Sequence, residues 1–460
     1  MRHTARSWWL DEAGGAGPPA PALTGDVAAD VAVVGGGYTG MWTAWHLAQA
    51  GADVALMEAG LCGHGPSGRN GGFVEDLWLS LPALRARFGD AGALAVGRAA
   101  EASVGAIGAW CEEQGVDAWF RGGGQLVVST APAQDGTGAD AVRAAGELGV
   151  ADRVVALEPA EVAARCASPV FRGGVWMPAG CTVQPARLAL GLRARLIERG
   201  VRVFERSRVR RVVDGWGVEA AGGRVRAPQV VLGAGGALAA FGPLRGRLTV
   251  ASSHIVLTEP VPDVLERLGW TGGEAITDAR ALLHYFRTTR DGRIAFGWAG
   301  GRLAMGARMG GRVDVDPAVA AAAREHLVRI FPDLRGRAVT HAWGGPIDIA
   351  PSRRLTVDSL PSGRVHFAYG YTGNGVGPSQ LAGRVLASLA LDRRDEWTAL
   401  PIVGPDGARV PPEPLRWLGG TAVLAAMRRA EAAEERGERA GPVTRFVAGL
   451  PRRLGVTVGR

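Results

Sequence analysis

The stretch Asp30–Leu47, DVAVVGGGYTGMWTAWHL, constrains the fold more than any other part of the chain. An apolar, β-branched run from Val31 to Val34 passes directly into Gly35-x-Gly37-x-x-Gly40 and then into a helix-compatible segment. The glycines allow a tight turn and close backbone approach, and the helix that follows aims unpaired N–H groups at an anion such as a pyrophosphate. A second strand, Asp53 to Met57, ends at Glu58, roughly 20 residues past the glycines, where a carboxylate accepts hydrogen bonds from ribose hydroxyls. Glycine is abundant here, 70 of 460 residues. The three glycines therefore carry weight only because strand, helix and Glu58 stand in register with them. The expected product is a dinucleotide cradle.

Composition narrows the class. A chain of 460 residues buries a sizeable core and is expected to hold two domains. No apolar stretch is long enough to span a membrane, and the N-terminus, MRHTARSWWLDEAGGAG, lacks the apolar core of a signal peptide, so a cytoplasmic location is expected. Cys62, Cys111, Cys166 and Cys181 form no CxxC pair and no cluster with histidine, which argues against a metal centre or a disulfide framework. The net charge is +8 and no lysine is present. Arginine with abundant alanine and glycine reads as the coding bias of a high-G+C genome. The basic residues are scattered along the chain, which argues against a nucleic-acid partner.

Beyond the cradle, the loop LCGHGPSGRNGGF at Leu61–Phe73 is too long and too polar to be a mere connector, and is expected to touch the ligand. Helices are expected over about Pro82–Gln114, Ala139–Leu148 and Gln184–Gly200. VRVFERSRVRRVV and RVRAPQVVLGAGG read as strands returning to the parallel sheet. From about Leu244 to His341 alternating strands predict an antiparallel sheet. Gly363–Leu391 repeats the order strand, glycine turn, helix. The tail is proline-rich and then helical around Thr421–Arg436, where several glutamates offset the arginines. That helix is expected to pack on the protein surface.

Four segments coincide in order: the cradle with Glu58, SGRNGG at Ser67–Gly72, VVLGAGG at Val230–Gly236 and YGYTGNGVGPS at Tyr369–Ser379. Together they resemble the D-amino-acid oxidase-like family of FAD-dependent oxidoreductases over most of Asp30–Leu391. Ser7-Trp8-Trp9 and the Gly65–Gly72 loop resemble the branch that contains γ-glutamylputrescine oxidase and related amine oxidases. The resemblance implies an α/β fold in which a discontinuous, Rossmann-like FAD-binding domain (residues 28–118, 151–243 and 341–394) carries an inserted antiparallel substrate domain (119–150 and 244–340). Residues 395–460 form a C-terminal extension. NAD(P) competes for the first motif alone, but leaves the SGRNGG loop and the late GNGVG turn unexplained.

The implied reaction is oxidation of an amine C–N bond to an imine, with hydride passing to flavin N5, water hydrolysing the imine, and O2 as the expected final acceptor. An amino-acid or N-methyl-amino-acid oxidase, or a dehydrogenase using another acceptor, is the alternative. Expected cofactor contacts are Gly35, Gly37, Tyr38, Thr39, Gly40, Glu58, Ser67, Arg69, Asn70, Gly71, Gly72, Val209, Ala234 and Gly235. The turn Gly373, Asn374, Gly375, Val376 and Gly377 is expected to favour the negatively charged reduced ring through backbone N–H groups and the helix dipole. Arg69 and Asn70 have solvation of a surface loop as their alternative. His64, Tyr285 and His254 are the expected catalytic side chains, with His64 or Cys62 as a possible point of covalent flavin attachment and an ordinary loop position as the alternative for His64.

Arg287, Trp298, Trp343 and Tyr371 are the expected substrate contacts. Trp298 replaces a small residue of the family pattern, and stacking on a cationic amine or plain core packing both suit it. Core packing also suits Trp343. Arg287 pairs a substrate carboxylate bidentately or is simply solvated. Sarcosine-oxidase-type relatives place a lysine near the flavin to promote its reaction with oxygen. That lysine is absent here, so His64, His254 or an arginine must supply the charge, or oxygen is a poor acceptor. Oligomeric state stays open.

Overall fold

The Val31–Val34 run is apolar on both faces and accordingly forms an inner strand of a sheet covered on both sides. The computed structural model describes residues 1–15 and 17–453; residues 454–460 of the C-terminal extension lie outside the described residues. The first sheet runs in the order Arg202–Phe204, Val54–Met57, Val31–Val34, Gln229–Leu232, Val365–Tyr369, Thr356–Ser359. Its pairs are parallel except the last, which is antiparallel. Helix Tyr38–Gln49 leaves the first strand and packs along helix Val376–Ala390. Gly383 permits that contact, since a Cβ there would lie 2.6 Å from Cβ of Trp42.

The second sheet has nine strands, ordered Arg2–His3, Val339–Ile349, Thr249–Thr258, Ile294–Trp298, His284–Thr288, Ala275–Asp278, Gln125–Val128, Gly174–Met177, Val155–Leu157. Its centre is antiparallel, as the alternating pattern from Leu244 to His341 predicts. Because side chains alternate across a strand, its two faces bury different residue sets. Ile255, Leu257, Ala295 and Trp343 join a cluster with Trp8, Trp9 and Leu10. Val256, Phe286, Phe296 and Trp298 face the other way and pack with helix Pro317–Ile330.

Two expectations are corrected. Strands Val155–Leu157 and Gly174–Met177 fall inside the 151–243 segment assigned to the cofactor domain, yet they extend the large sheet beside Gln125–Val128. Val209–Val213 does not return to the parallel sheet; it forms an antiparallel meander with Gly217–Ala220 and Gly223–Arg226, edged by Val27–Ala28. Short strands carry no local mark of which sheet edge they will join. The C-terminal helix spans Leu415–Glu435 and is anchored by ion pairs, since Glu431 meets the buried guanidinium of Arg280 at 3.0 Å. The other expected helices form at Leu81–Glu113, broken at Gly89, and at Ala139–Glu147 and Pro185–Glu198. No helix among the described residues is long and apolar enough to cross a membrane.

Candidate cofactor and substrate site

The glycines of the first turn are required by contact. A Cβ on Gly40 would lie 2.0 Å from the Gly35 carbonyl oxygen, and one on Gly35, where φ is +111°, would lie 2.6 Å from that of Gly233. Close approach also seats Cys62 against the turn, its Sγ 2.4 Å from where a Cβ of Gly36 would stand. Gly37 caps helix Tyr38–Gln49 without any side-chain hydrogen bond, and Gly375 does the same for helix Val376–Ala390. Two helix N-termini thus keep donors available for an anionic ligand. Glu58 stands at the end of the second strand, where Oε2 accepts from Gly36 N at 2.7 Å and Oε1 from Gly60 N at 2.7 Å.

The Ser67–Gly72 loop closes this cradle. Ser67 Oγ accepts from Tyr38 N at 2.9 Å, which leaves its hydroxyl proton for a ligand oxygen. Tyr38 itself points its hydroxyl at the Pro185 carbonyl, 2.7 Å away, and is a structural strut. Asn70 folds the loop, donating to the Ser67 carbonyl at 2.9 Å and accepting from Gly72 N at 2.7 Å. Arg69 pairs with Asp314 at 3.0 Å, and its carbonyl accepts from Trp343 Nε1 at 2.8 Å. Arg69 and Asn70 are therefore held by the protein rather than solvated. Ser7 Oγ donates to the Gly68 carbonyl at 2.6 Å, so the N-terminal segment and the loop that carry the finer resemblance touch each other.

At the same carboxyl edge of the parallel sheet, Thr39 Oγ1 and the Tyr371 hydroxyl lie 2.7 Å apart. Gly373 takes φ of +100°, and a Cβ on Gly377 would lie 2.5 Å from the Glu75 carbonyl oxygen. Asp348, which the sequence reading missed, organises this turn. Its Oδ2 accepts from Gly370 N at 2.6 Å and from Tyr371 N at 3.3 Å. Burial pushes the Asp348 pKa up, against those hydrogen bonds. Ala234 caps the short helix Gly235–Ala240 just beyond the strand Gln229–Leu232. Val209 lies on the meander, two residues past Ser207, whose N–H meets the Glu58 carbonyl at 2.7 Å.

The second missed feature is a buried ion pair behind the loop. Arg193 Nε meets Glu205 Oε1 at 2.8 Å, and the same carboxylate accepts from Cys62 N and Ala20 N. Cys62 is 1% exposed, and burial, reinforced by Glu205 and Glu58, raises its thiol pKa, so it is no nucleophile. His64 is half-buried in the same loop, and burial lowers its pKa.

The substrate residues divide between the two faces of the large sheet. Tyr285 faces the loop, its ring 2.9 Å from where a Cβ of Gly71 would stand, and its hydroxyl lies 2.7 Å from Ser253 Oγ. Burial raises the Tyr285 pKa to about 12, so its phenol stays neutral. His254 and Trp298, by contrast, pair directly across strands on the opposite face, away from Tyr285. His254 is 1% exposed, neither ring nitrogen has a partner, and burial lowers its pKa to about 4. Trp298 packs against His326 and carries Arg428 over its ring at 5.4 Å. Neither joins the Tyr285 group, which corrects both expectations. Trp343 does face the loop, as a core residue against Trp9.

Arg287 is buried and donates to the carbonyls of Val183 and, at 3.3 Å, Gly72, while its guanidinium lies 5.6 Å from the Trp9 ring centre. It is not solvated, and two of its guanidinium nitrogens, Nε and Nη1, are engaged by backbone carbonyls. Burial, reinforced by Arg121, works against its charge.

Residues 30–389 match the model of the FAD dependent oxidoreductase (DAO) family. The chain belongs to this family. Among curated relatives of the DAO chain, it is 29% identical over 391 residues to the γ-glutamylputrescine oxidoreductase of Escherichia coli K12, covering 83% of this chain and 89% of that protein. It is 28% identical over 397 residues to the probable oxidoreductase OrdL of Rhizobium meliloti, covering 82% and 87%. Of solved structures, glycine oxidase from Geobacillus kaustophilus superposes with a TM-score of 0.65 at 21% identity, covering 83% of this chain and all of that one. L-proline dehydrogenase from P. horikoshii gives 0.65 at 18%, covering 83% and 96%. These two establish the fold. The cofactor of this DAO chain is FAD, and the helix starts at Tyr38 and Val376, Glu58 and the Ser67 hydroxyl fit a group with a pyrophosphate and a ribose.

Proposed function

We propose that the chain oxidises the C–N bond of a small-molecule amine to an imine, on a substrate with no carboxylate at the reacting carbon. The observation that carries this reading is the engagement of Arg287 by the Gly72 and Val183 carbonyls. An amino-acid oxidase needs a cation for the α-carboxylate, and on this strand the one arginine is occupied in bracing the flavin loop. Likeness to γ-glutamylputrescine oxidoreductase supports an amine substrate as well.

FAD, when bound, supplies the two-electron acceptor for the substrate C–H bond. The chain's own residues bind and orient. Thr39 and the helix starting at Tyr38 would hold the pyrophosphate, Glu58 the ribose, and the Gly373–Gly377 turn would offer backbone donors to developing negative charge. The hydroxyls of Ser253 and Tyr285, paired at 2.7 Å, would accept a hydrogen bond from the amine N–H and fix its orientation. No ionised base is needed for that step. Four unpaired cysteines suit a reducing, cytoplasmic setting.

O2 is the expected final acceptor. A second acceptor class is favoured by three observations: the chain has no lysine, burial lowers the His254 pKa to about 4, and Arg69 is paired with Asp314. The reading is tested by anaerobic mixing of the purified holoprotein with polyamines, γ-glutamylated amines, amino acids and N-methyl amino acids. Bleaching of the flavin by amines alone supports it, and bleaching by amino acids alone overturns it. Re-aeration then separates fast O2 turnover from transfer to another acceptor.

A further inference from the structure

Helices Tyr38–Gln49 and Val376–Ala390 start at the two glycine turns and end together at the far side of the domain. That side is about 18 Å away for a twelve-residue helix. There they flank an open cleft of about 400 Å³ whose lining includes His46, Gln49, Arg384, Leu391, Arg393 and Trp397. None of these belongs to the site described above.

The lining carries two arginines, Arg384 and Arg393, against one carboxylate, Asp395. The guanidinium of Arg384 lies 5.0 Å from the Trp397 ring centre, and its Nε is buried without an acceptor. Among the described residues neither Arg384 nor Arg393 forms an ion pair, although the chain contains many close arginine–carboxylate pairs elsewhere. Asp395 lines the same cavity, but its carboxylate already accepts from Ser388 Oγ at 2.7 Å and from the N–H groups of Trp397 and Thr398 at 3.1 Å. Glu396 is exposed and acts on Arg384 only at a distance.

Helix C-termini ordinarily disfavour anions through their open carbonyls. Here those carbonyls are capped. Ala50 N donates to His46 and Leu47 O, and Leu391 N, Asp392 N and Arg393 N donate to the carbonyls of Ala387, Leu389 and Ser388. His46 adds no competing charge, because burial, aided by Arg384, lowers its pKa to about 4. What remains is two guanidinium groups outside any ion pair with the single carboxylate of Asp395 nearby, an amide at Gln49 and the apolar surface of Trp397 and Leu391.

We propose that this cavity binds a small metabolite bearing an oxyanion, carboxylate or phosphate, with Arg384 and Arg393 on the oxyanion and Trp397 and Leu391 against its carbon skeleton. The volume lies in the range of small-molecule sites. Planar guanidinium groups match both oxyanions bidentately.

The test is calorimetric titration of the FAD-loaded protein with sodium phosphate and, separately, sodium succinate, for the wild type and for Arg384→Gln and Arg393→Ser. Saturable binding of at least one probe is expected, weakened at least tenfold by Arg384→Gln and several-fold by Arg393→Ser, with flavin content unchanged. Whichever probe binds names the oxyanion. Failure of both probes to saturate the wild type overturns the site, as does binding unaltered in both variants. Should Arg384→Gln not fold, Arg393→Ser decides alone, since Arg393 is exposed. Unaltered affinity in it then overturns the site.

Discussion

Thr39 and Tyr371 stand 332 residues apart in the chain, and their hydroxyls meet at 2.7 Å. Through this contact the first turn of the first cofactor helix is pinned to the last glycine turn, and both must be in place for one ligand to span them.

Tyr371→Phe removes that bond and leaves the Thr39 hydroxyl without its partner. A net loss of about 1 kcal/mol is expected, appearing as weaker FAD retention with little change in the secondary structure of the apoprotein. Fluorescence titration of apoprotein with FAD, beside far-ultraviolet circular dichroism, checks both halves.

Gly377→Ala places a methyl 2.5 Å from the Glu75 carbonyl oxygen, a backbone atom that cannot swing aside. The helix start must shift, at a cost of about 1–3 kcal/mol, and bound flavin should fall. Gly105→Ala, in helix Leu81–Glu113 with nothing within 4 Å, is the matched control and should retain flavin. Absorbance ratios of the purified proteins report the outcome.

Arg287→Ala strips two buried carbonyls of a donor and removes the cation over Trp9. Destabilisation of about 1–3 kcal/mol is expected from the unsatisfied groups, with thermal unfolding at lower temperature and poorer flavin retention. Apparent affinity should change alike for amines and amino acids. A selective loss for amino acids in steady-state kinetics would instead place a substrate carboxylate at Arg287.

Asp76 is buried, its Oδ2 has no partner, and burial pushes its pKa up to about 7, aided by Glu75 and Glu101. The folded state therefore prefers the protonated acid. Below the unfolded pKa, about 4, both states are protonated and stability is intact; it declines as pH rises from there to about 7 and then levels. Asp76→Asn mimics the protonated form and keeps the acceptor for Trp78 N. Its melting temperature should exceed that of the wild type at pH 8 and approach it at pH 4, as differential scanning calorimetry will show.

The glycine cradle was readable from sequence because its requirements are local. Gly35, Gly40 and Glu58 are related by the geometry of one strand, one turn and one helix, and neighbouring residues suffice to define them. The alternating strands from Leu244 to His341 were readable for the same reason. His254 and Tyr285 show where this ends: both lie on strands with good alternation, but which parity faces the cofactor depends on which face helix Pro317–Ile330 covers, and no residue within either strand records that. Strand Gly174–Met177 was placed in the wrong domain because its partner, Gln125–Val128, lies some fifty residues earlier.

Sequence by itself thus determined the family, the cofactor and the glycines that admit it, since turn sterics and strand periodicity act over a few bonds. Tertiary structure alone decided what the long polar side chains do. Arg287 could be a substrate clamp or a brace until the Val183 and Gly72 carbonyls, more than a hundred residues away, were brought beneath it. Asp348 became the organiser of the flavin turn only when Gly370 and Tyr371 folded onto it. A buried polar group takes its role from the partner that satisfies it, and that partner is chosen by packing across the whole chain.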